Sequence, residues 1–240
     1  MFKKYSYIYD IINKNKNYNL EIKYLLKLVK NNQIRKSQRF LDYGCGTGKH
    51  LNCLEKKVQY VLGVDKSNEM LEVARDNFPS IKFRNLNFID KKKFDVCYSF
   101  FHVFSYLKNN NEVNFFFKYI SKNLKKNGLL IFDYWSKKSV LSDPPKNKTR
   151  IFLLRNKKIL RKTSFKHLKR KDLIRIFFKF LIIENKKVSS FKEVHEMRYF
   201  SEEKINNILN LYNFKLINHY PWLNQRNKKN WYKCLVAIKK

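Results

Sequence analysis

The stretch Arg39 to His50, RFLDYGCGTGKH, constrains the fold of this 240-residue chain more than any other. Phe40 and Leu41 read as a buried strand, Asp42 closes it, and Gly44, Gly46 and Gly48 alternate through the turn that follows. Glycine lacks Cβ, so it can take a positive φ and let the backbone lie close against a ligand. Thr47 or Gly48 then opens a helix whose unpaired N–H groups attract a carboxylate or phosphate. A second strand, Val61-Leu62-Gly63-Val64, ends in Asp65. An acid there is placed to bond the two hydroxyls of a ribose. Turn and acid together are much more specific than either alone. A nicotinamide-binding turn wants G-x-G-x-x-G, whereas the spacing here is G-x-G-x-G,.

The remainder of the first half alternates strand and helix. Residues 3 to 34 read as one or two helices, with Leu20, Tyr24, Leu25, Leu28 and Val29 at helical spacing,. They precede the first strand and can fold over the mouth of the site. Ser67 is expected to cap a helix ending near Asn77, ahead of Pro79,. Strands follow over Ile81 to Leu86 and Phe94 to Ser99, then a Phe-rich helix from Asn111 to Lys126, capped by Asn127-Gly128,. Leu129 to Asp133 is a fifth strand. Such alternation implies a parallel sheet covered on both faces, with ligands at the carboxyl ends of the strands. Asp42, Asp65, Ser99 and Asp133 all stand at those ends.

The pattern changes after Asp143-Pro144-Pro145, read as a linker. Residues 150 to 200 lack glycine and form long β segments, expected as an antiparallel sheet inserted beside the mouth of the site,. Ser201-Glu202-Glu203 starts a further helix, and two strands, Phe214 to Tyr220 and Trp231 to Ile238, complete the sheet. The fold class expected is α/β: a Rossmann-like, seven-stranded, mostly parallel sheet with helices on both faces plus a small antiparallel β insertion. The domains are 1–145 with 201–240, including an N-terminal helical cap over 1–34, and the insertion over 146–200.

Lys+Arg of 53 against Asp+Glu of 19 gives a net charge of +34. Clustered, that charge would signal nucleic acid. Here it is scattered and accompanied by abundant Asn, Ile, Phe and Tyr, the residues of A/T-rich codons, so base composition accounts for it. Cys45, Cys53, Cys97 and Cys234 show no C-x-x-C and no metal-ligand spacing, which points to a reducing cytoplasm and no metal,. The N-terminus lacks the apolar core of a signal peptide, and the longest apolar run, Ile176 to Ile183, is too short to span a bilayer,.

Leu41-Asp42 with the G-x-G-x-G turn resembles motif I of the class I S-adenosylmethionine-dependent methyltransferases, and Asp65 lies where that family's ribose-binding acid lies. Nearly the whole chain resembles one branch of that family, the deoxysugar amine N-methyltransferases and related enzymes of polysaccharide clusters. Tyr9-Asp10, Lys16-Asn17-Tyr18, GVDKSNEML, FDVCYSFFHVFSYL (Phe94 to Leu107), GLLIFDYW (Gly128 to Trp135), EVHEMRYF (Glu193 to Phe200), Trp222 and Trp231-Tyr232 carry the likeness.

The resemblance implies S-adenosylmethionine as cofactor and S-adenosylhomocysteine as product. Gly44, Gly46 and Gly48 would cradle the methionine and ribose, and Asp42, Cys45 and Ser99 would also be cofactor-binding. Asp65 would hold the ribose, Lys66 and Met70 would flank the adenine, and Tyr18 would close over the methionine end. The family's acid after strand three is missing here. Asn85 or Asn87 can offer an amide oxygen to the adenine amino group instead,. Asn17 likewise replaces a usual Asp, and Asn13 a usual tyrosine.

Methyl transfer needs alignment of nucleophile and methyl, exclusion of water and, at most, a base. Histidine is the residue type suited to general-base work, which makes His102 the candidate base, and Tyr106 matches a substrate-lining position,. Tyr9 and Trp135 are expected to line the substrate, and His195 and Arg198, in the insertion, to reach a nucleotide phosphate. Ordinary packing competes as the account of Tyr9 and Tyr18, and a solvated strand face as that of His195 and Arg198.

The expected function is methyl transfer to an amino or hydroxyl group of a small molecule, a nucleotide-linked sugar in the branch it resembles. An RNA or DNA methyltransferase and a catalytically silent cofactor-binding homologue are the alternatives. No specific nucleic acid and no membrane span are expected as partners, and a homodimer is allowed.

Overall fold

A computed structural model describes residues 3–32, 38–224 and 231–240. Residues 1, 2, 33 and 34 of the expected N-terminal cap therefore lie outside the described residues. The cap contains two helices, α1 (Lys3–Ile12) and α2 (Tyr18–Asn31). Asn17 starts α2 by accepting the Leu20 N–H at 2.9 Å, and Ile22, Leu25, Leu28 and Val29 are buried along one side of it,. The βα units follow as β1 (Arg39–Tyr43), α3 (Lys49–Leu54), β2 (Tyr60–Asp65), α4 (Asn68–Asn77), β3 (Lys82–Asn85), β4 (Phe94–Ser99), α5 (Asn110–Asn123) and β5 (Leu124–Ser136).

After a short α6 (Lys137–Ser142) come the long strands β6 (Lys148–Leu154), β7 (Lys157–Leu168), β8 (Leu173–Glu184) and β9 (Lys187–Phe200). α7 (Glu202–Leu211), β10 (Phe214–Pro221) and β11 (Tyr232–Lys239) end the chain. The main sheet runs β3-β2-β1-β4-β5 in parallel and continues through β11 and β10, both antiparallel to their neighbours. One face is covered by α5 and α7, through Val113, Phe116, Phe117, Ile205 and Leu209. The other is covered by α2, α3 and α4, through Leu25, Leu28, Leu51, Leu54 and Leu71. Burial on both faces explains the apolar strands of the sequence.

The insertion is an antiparallel sheet in the order β6-β7-β8-β9, and it joins the main sheet at the end of β5. β4 stops at Ser99, opposite Phe132, and β9 takes over that edge with Trp135 opposite Tyr199 and Ser136 opposite Phe200. The insertion therefore rises from the carboxyl edge of the sheet. Tyr5, Ile8 and Ile12 of α1 pack on its inner face against Ile159 and Phe180. Asp10 ties the same helix to the glycine turn, accepting from Thr47 Oγ1 at 2.8 Å with Lys49 Nζ at 3.5 Å.

One expected boundary is different. The Phe-rich helix ends at Asn123, not Lys126, and Asn127 (φ 61°) lies in an irregular start of β5 rather than at a helix cap. Leu124 is fully buried and pairs with Phe94, so burying it takes the chain out of the helix before Asn127-Gly128 is reached. Among the described residues no helix is long and apolar enough to cross a membrane.

Candidate active site

The carboxyl ends of β1, β2, β4 and β5, α1 and the inner face of the insertion enclose a cavity of about 440 Å³. On one side the glycine turn forms its wall. The N–H groups of Gly44 and Cys45 both bond Val64 O, at 2.7 and 3.1 Å, and Gly46 donates to Asp65 Oδ2 at 2.9 Å. Ser67 N–H donates to Asp65 Oδ1 at 2.9 Å. Each carboxylate oxygen keeps a lone pair for a further donor. Burial raises the Asp65 pKa, opposed by these backbone bonds. Gly46 (φ +53°) has nothing within 4 Å of where a Cβ would stand, so the space beside it is reserved. Gly44 (φ +80°) has Val103 where its Cβ would be. Tyr18 Oη, on the same cavity, is buried with no hydrogen-bond partner. A free cradle, an acid and an orphaned hydroxyl fit a polar cofactor at this wall.

The opposite wall follows β4. Phe101 (φ 67°) and His102 (φ 65°) are consecutive non-glycine residues in the left-handed region, a strained arrangement that needs fixing from outside,. Asp133, wholly buried among the last paired residues of β5, supplies it. Both its oxygens accept the His102 N–H at 3.0 Å, and Oδ2 lies 2.6 Å from His102 Nδ1. The imidazole stacks on Tyr232 with centroids 4.1 Å apart. Nδ1 makes no hydrogen bond of good geometry with the Asp133 carboxylate, so Asp133 fixes the His102 backbone and acts on the ring through its charge. Tyr106 also lines the cavity and bonds His195 Nδ1 at 2.8 Å. Burial, then the charges of Arg161 and Lys108, pushes the His195 pKa down to about 4, so its ring is neutral, and the tautomer sets which partner donates in the bond with Tyr106.

A third group closes the mouth. Lys16 Nζ lies 2.7 Å from Glu21 Oε2, which His50 Nε2 also meets at 2.6 Å, and the ammonium stands 3.9 Å from the centre of the Phe101 ring. Burial lowers the pKa of both Lys16 and His50. Burial would raise that of Glu21, but the His50 bond and the Lys16 charge outweigh it. The arrangement is a Lys–Glu ion pair with a neutral histidine donating to the same carboxylate.

Of the residues singled out in the sequence, Tyr9, Tyr18, Gly44, Cys45, Gly46, Asp65, Lys66, Met70, His102, Tyr106 and Trp135 line this one cavity. The others do not. Asp42 lies buried behind the turn, bonded by Tyr98 Oη at 3.0 Å, and burial raises its pKa to about 7. Gly48 begins α3, with Phe83 and Phe78 against the position of a Cβ. Ser99 donates to Tyr43 O at 2.8 Å. Asn85 bonds Asn68 and the Asn87 N–H, and Leu86 between them faces the cavity. His195 is buried behind Tyr106. Arg198 bonds Asn110 at 3.0 Å and lies over Phe200.

Sequence reading missed the Lys16–Glu21–His50 group and the bond from Asp133 to His102. Lys16 and Asp133 fell inside matching segments, but His50 lies 34 residues from Lys16 and His102 31 from Asp133, and no local spacing announces such pairs.

Residues 41–132 match the methyltransferase domain family. A dTDP-3-amino-3,4,6-trideoxy-alpha-D-glucopyranose N,N-dimethyltransferase of Streptomyces venezuelae is 27% identical over 133 residues, 53% of this chain and 56% of that one. The chain spans about half the length of the curated relatives it matches. Among solved structures, an S-adenosylmethionine-dependent methyltransferase of Clostridium acetobutylicum superposes with a TM-score of 0.80 at 22% identity, covering 99% of this chain and 98% of that one. The sugar N-methyltransferase KedS8 of Streptoalloteichus gives 0.84 at 18% identity, over 98% and 92%. Residues 41–132 are thus similar to the methyltransferase domain family, and the chain as a whole has the fold of the solved S-adenosylmethionine-dependent methyltransferases.

Proposed function

We propose that this chain transfers a methyl group from S-adenosylmethionine to an amino or hydroxyl group of a small molecule, with a nucleotide-linked sugar as the acceptor class to test first. The observation that carries the reading is the pairing of two walls across one cavity: Asp65 knitted to Gly46 on one, and His102 held by Asp133 on the other. Bound S-adenosylmethionine supplies a methyl group already activated by its sulfonium, so the protein's work is positioning and, for some acceptors, taking one proton.

Gly44 and Gly46 present backbone to the cofactor, and the remaining lone pairs of Asp65 receive the ribose hydroxyls. Lys66 and Met70 flank the adenine, and the free Tyr18 hydroxyl meets the methionine end. Asn85 would meet the adenine amino group only by turning its amide away from Asn68 and the Asn87 N–H, whereas the Asn87 side chain is engaged in neither bond. Asp133 fixes the His102 backbone at the cavity, the imidazole takes the acceptor's proton, and the carboxylate charge beside Nδ1 stabilises the imidazolium that forms,. Tyr106, held by its bond to His195, presents its hydroxyl to the acceptor. Trp135 and Tyr9 complete an apolar wall that excludes water.

Calorimetric titration with S-adenosylhomocysteine, alongside Asp65→Ala, tests the cofactor half. Binding that disappears in the folded variant is the expected result, and no binding by the intact protein refutes the reading. Methyl incorporation into a panel of amino and hydroxy nucleotide sugars tests the acceptor. His102→Ala should retain cofactor binding and lose turnover.

A further inference from the structure

The inner face of the insertion carries a cationic patch. Lys148 and Arg150 alternate on β6, and Arg161 and Thr163 alternate on β7. The register sets Lys148 opposite Thr163 and Arg150 opposite Arg161. Residues two apart on a strand and residues directly opposite share a face and are nearest neighbours. The four side chains therefore form a compact square, and all four line the cavity.

Positive charge alone carries no information in a chain at +34. On the outer face of the same sheet Lys162, Lys179 and Lys192 also stand opposite one another, but they are solvated. The inner square differs in three ways. None of Lys148, Arg150 and Arg161 makes an ion pair among the described residues. Arg161 is pinned, with its guanidinium 5.1 Å from the centre of the Phe178 ring and 5.4 Å from that of Phe152. And Arg161 Nε and Thr163 Oγ1 are buried with no hydrogen-bond partner, Thr163 being only 6% exposed. A buried donor left unpaired is costly, and an ordered partner arriving with the ligand removes that cost.

We propose that Lys148, Arg150, Arg161 and Thr163 hold the phosphate or diphosphate of a phosphorylated acceptor. Three cations and a hydroxyl suit a group with more than one negative charge and several acceptor oxygens, which a single carboxylate is not. Arginine's planar fork matches such a group bidentately. The inference rests on the methyltransferase reading for what happens next to the acceptor. It moves the anion site expected at His195 and Arg198 to a different pair of strands.

The test titrates the protein, saturated with S-adenosylhomocysteine in about 0.15 M salt, with inorganic pyrophosphate, uridine diphosphate and acetate. Pyrophosphate is expected to bind wild type and to weaken by about tenfold or more in R150Q/R161Q. Thr163→Val, which keeps every charge, should weaken it by about threefold or more. The outer-face variant K179Q/K192Q removes as much charge and should stay within about twofold of wild type. Tighter binding of uridine diphosphate than of pyrophosphate assigns a nucleotide-linked acceptor, and equal binding a simple phosphate ester; both uphold the site. Equal losses in the two double variants, acetate binding as tightly as pyrophosphate, or no pyrophosphate binding by protein that holds S-adenosylhomocysteine would overturn it. If S-adenosylhomocysteine itself does not bind, the methyltransferase reading fails, and the same pyrophosphate series without it still decides whether the patch is an anion site.

Discussion

At the scale of single residues, Gly44 and Gly46 stand two positions apart and do different work. Gly44→Ala puts a methyl group 2.5 Å from Val103 Cγ1 at a φ of +80°, so both sterics and backbone oppose it. It should lower the melting temperature and cofactor affinity together. Gly46→Ala meets no protein atom within 4 Å, so its stability loss is the left-handed backbone alone, about 1–2 kcal/mol,. Its methyl group fills ligand space, so S-adenosylhomocysteine binding should weaken far more than stability, by about tenfold or more in calorimetry. Equal binding by the two proteins would show that the cradle is not the cofactor's. Asp133→Asn keeps an oxygen for the His102 N–H and removes the charge beside Nδ1. Turnover should fall by about a hundredfold with S-adenosylhomocysteine affinity unchanged, a split that steady-state kinetics and calorimetry read separately.

At the scale of elements, the site depends on short segments fixed by longer ones. The turn of 3-10 helix at Val103–Tyr106 carries Tyr106 to the cavity because Phe104 is sunk into the core against Phe116, Phe132 and Phe200. Ser105 meanwhile accepts the Trp135 N–H at 2.9 Å. Phe104→Ala should cost about 3–5 kcal/mol by denaturant melting. α4 starts on Ser67, whose hydroxyl accepts the Met70 N–H at 3.3 Å, as the sequence led one to expect. Ser67→Ala should cost about 1 kcal/mol. The insertion is held at its base by pairing with β5 and along its inner face by α1. α1 in turn is tied to the glycine turn through Asp10, which explains why a tyrosine–aspartate pair near the N-terminus belongs with a turn 37 residues later.

At the scale of the whole molecule, buried titratable groups set how stability varies with pH. Asp42 is ordinarily near 3.8 and is raised to about 7 in the fold, chiefly by burial. Between those values the folded chain binds the extra proton, so this contribution declines as pH rises, by about 1.4 kcal/mol per pH unit at most. His195 falls from 6.5 to about 4, so there the unfolded chain binds the extra proton and its contribution grows as pH rises from 4 to 6.5,. The two oppose each other over that shared range. Asp42→Asn removes the first, so its gain in melting temperature over wild type should increase from pH 4 to 7 and then level. A gain independent of pH would show that Asp42 does not titrate in that window. Much of this architecture is written locally. The G-x-G-x-G turn, the acid at Asp65, the apolar strands and the caps at Ser67 and Ser201 each depend on neighbours in sequence, so one chain alone determined the parallel sheet, the antiparallel strands beside it and the cavity wall built by the glycine turn and Asp65. What the sequence could not determine is whatever depends on contacts across it. Burial of Leu124 overrode an apparent helix cap at Asn127-Gly128. Asp133 reached His102 only because β5 lies beside β4. Arg150 met Arg161 only once the β6–β7 register was set, which carried the cationic square to the cavity and left Arg198 against Asn110. Side-chain pairing between distant segments is fixed by strand register and packing, and those exist only in the folded chain.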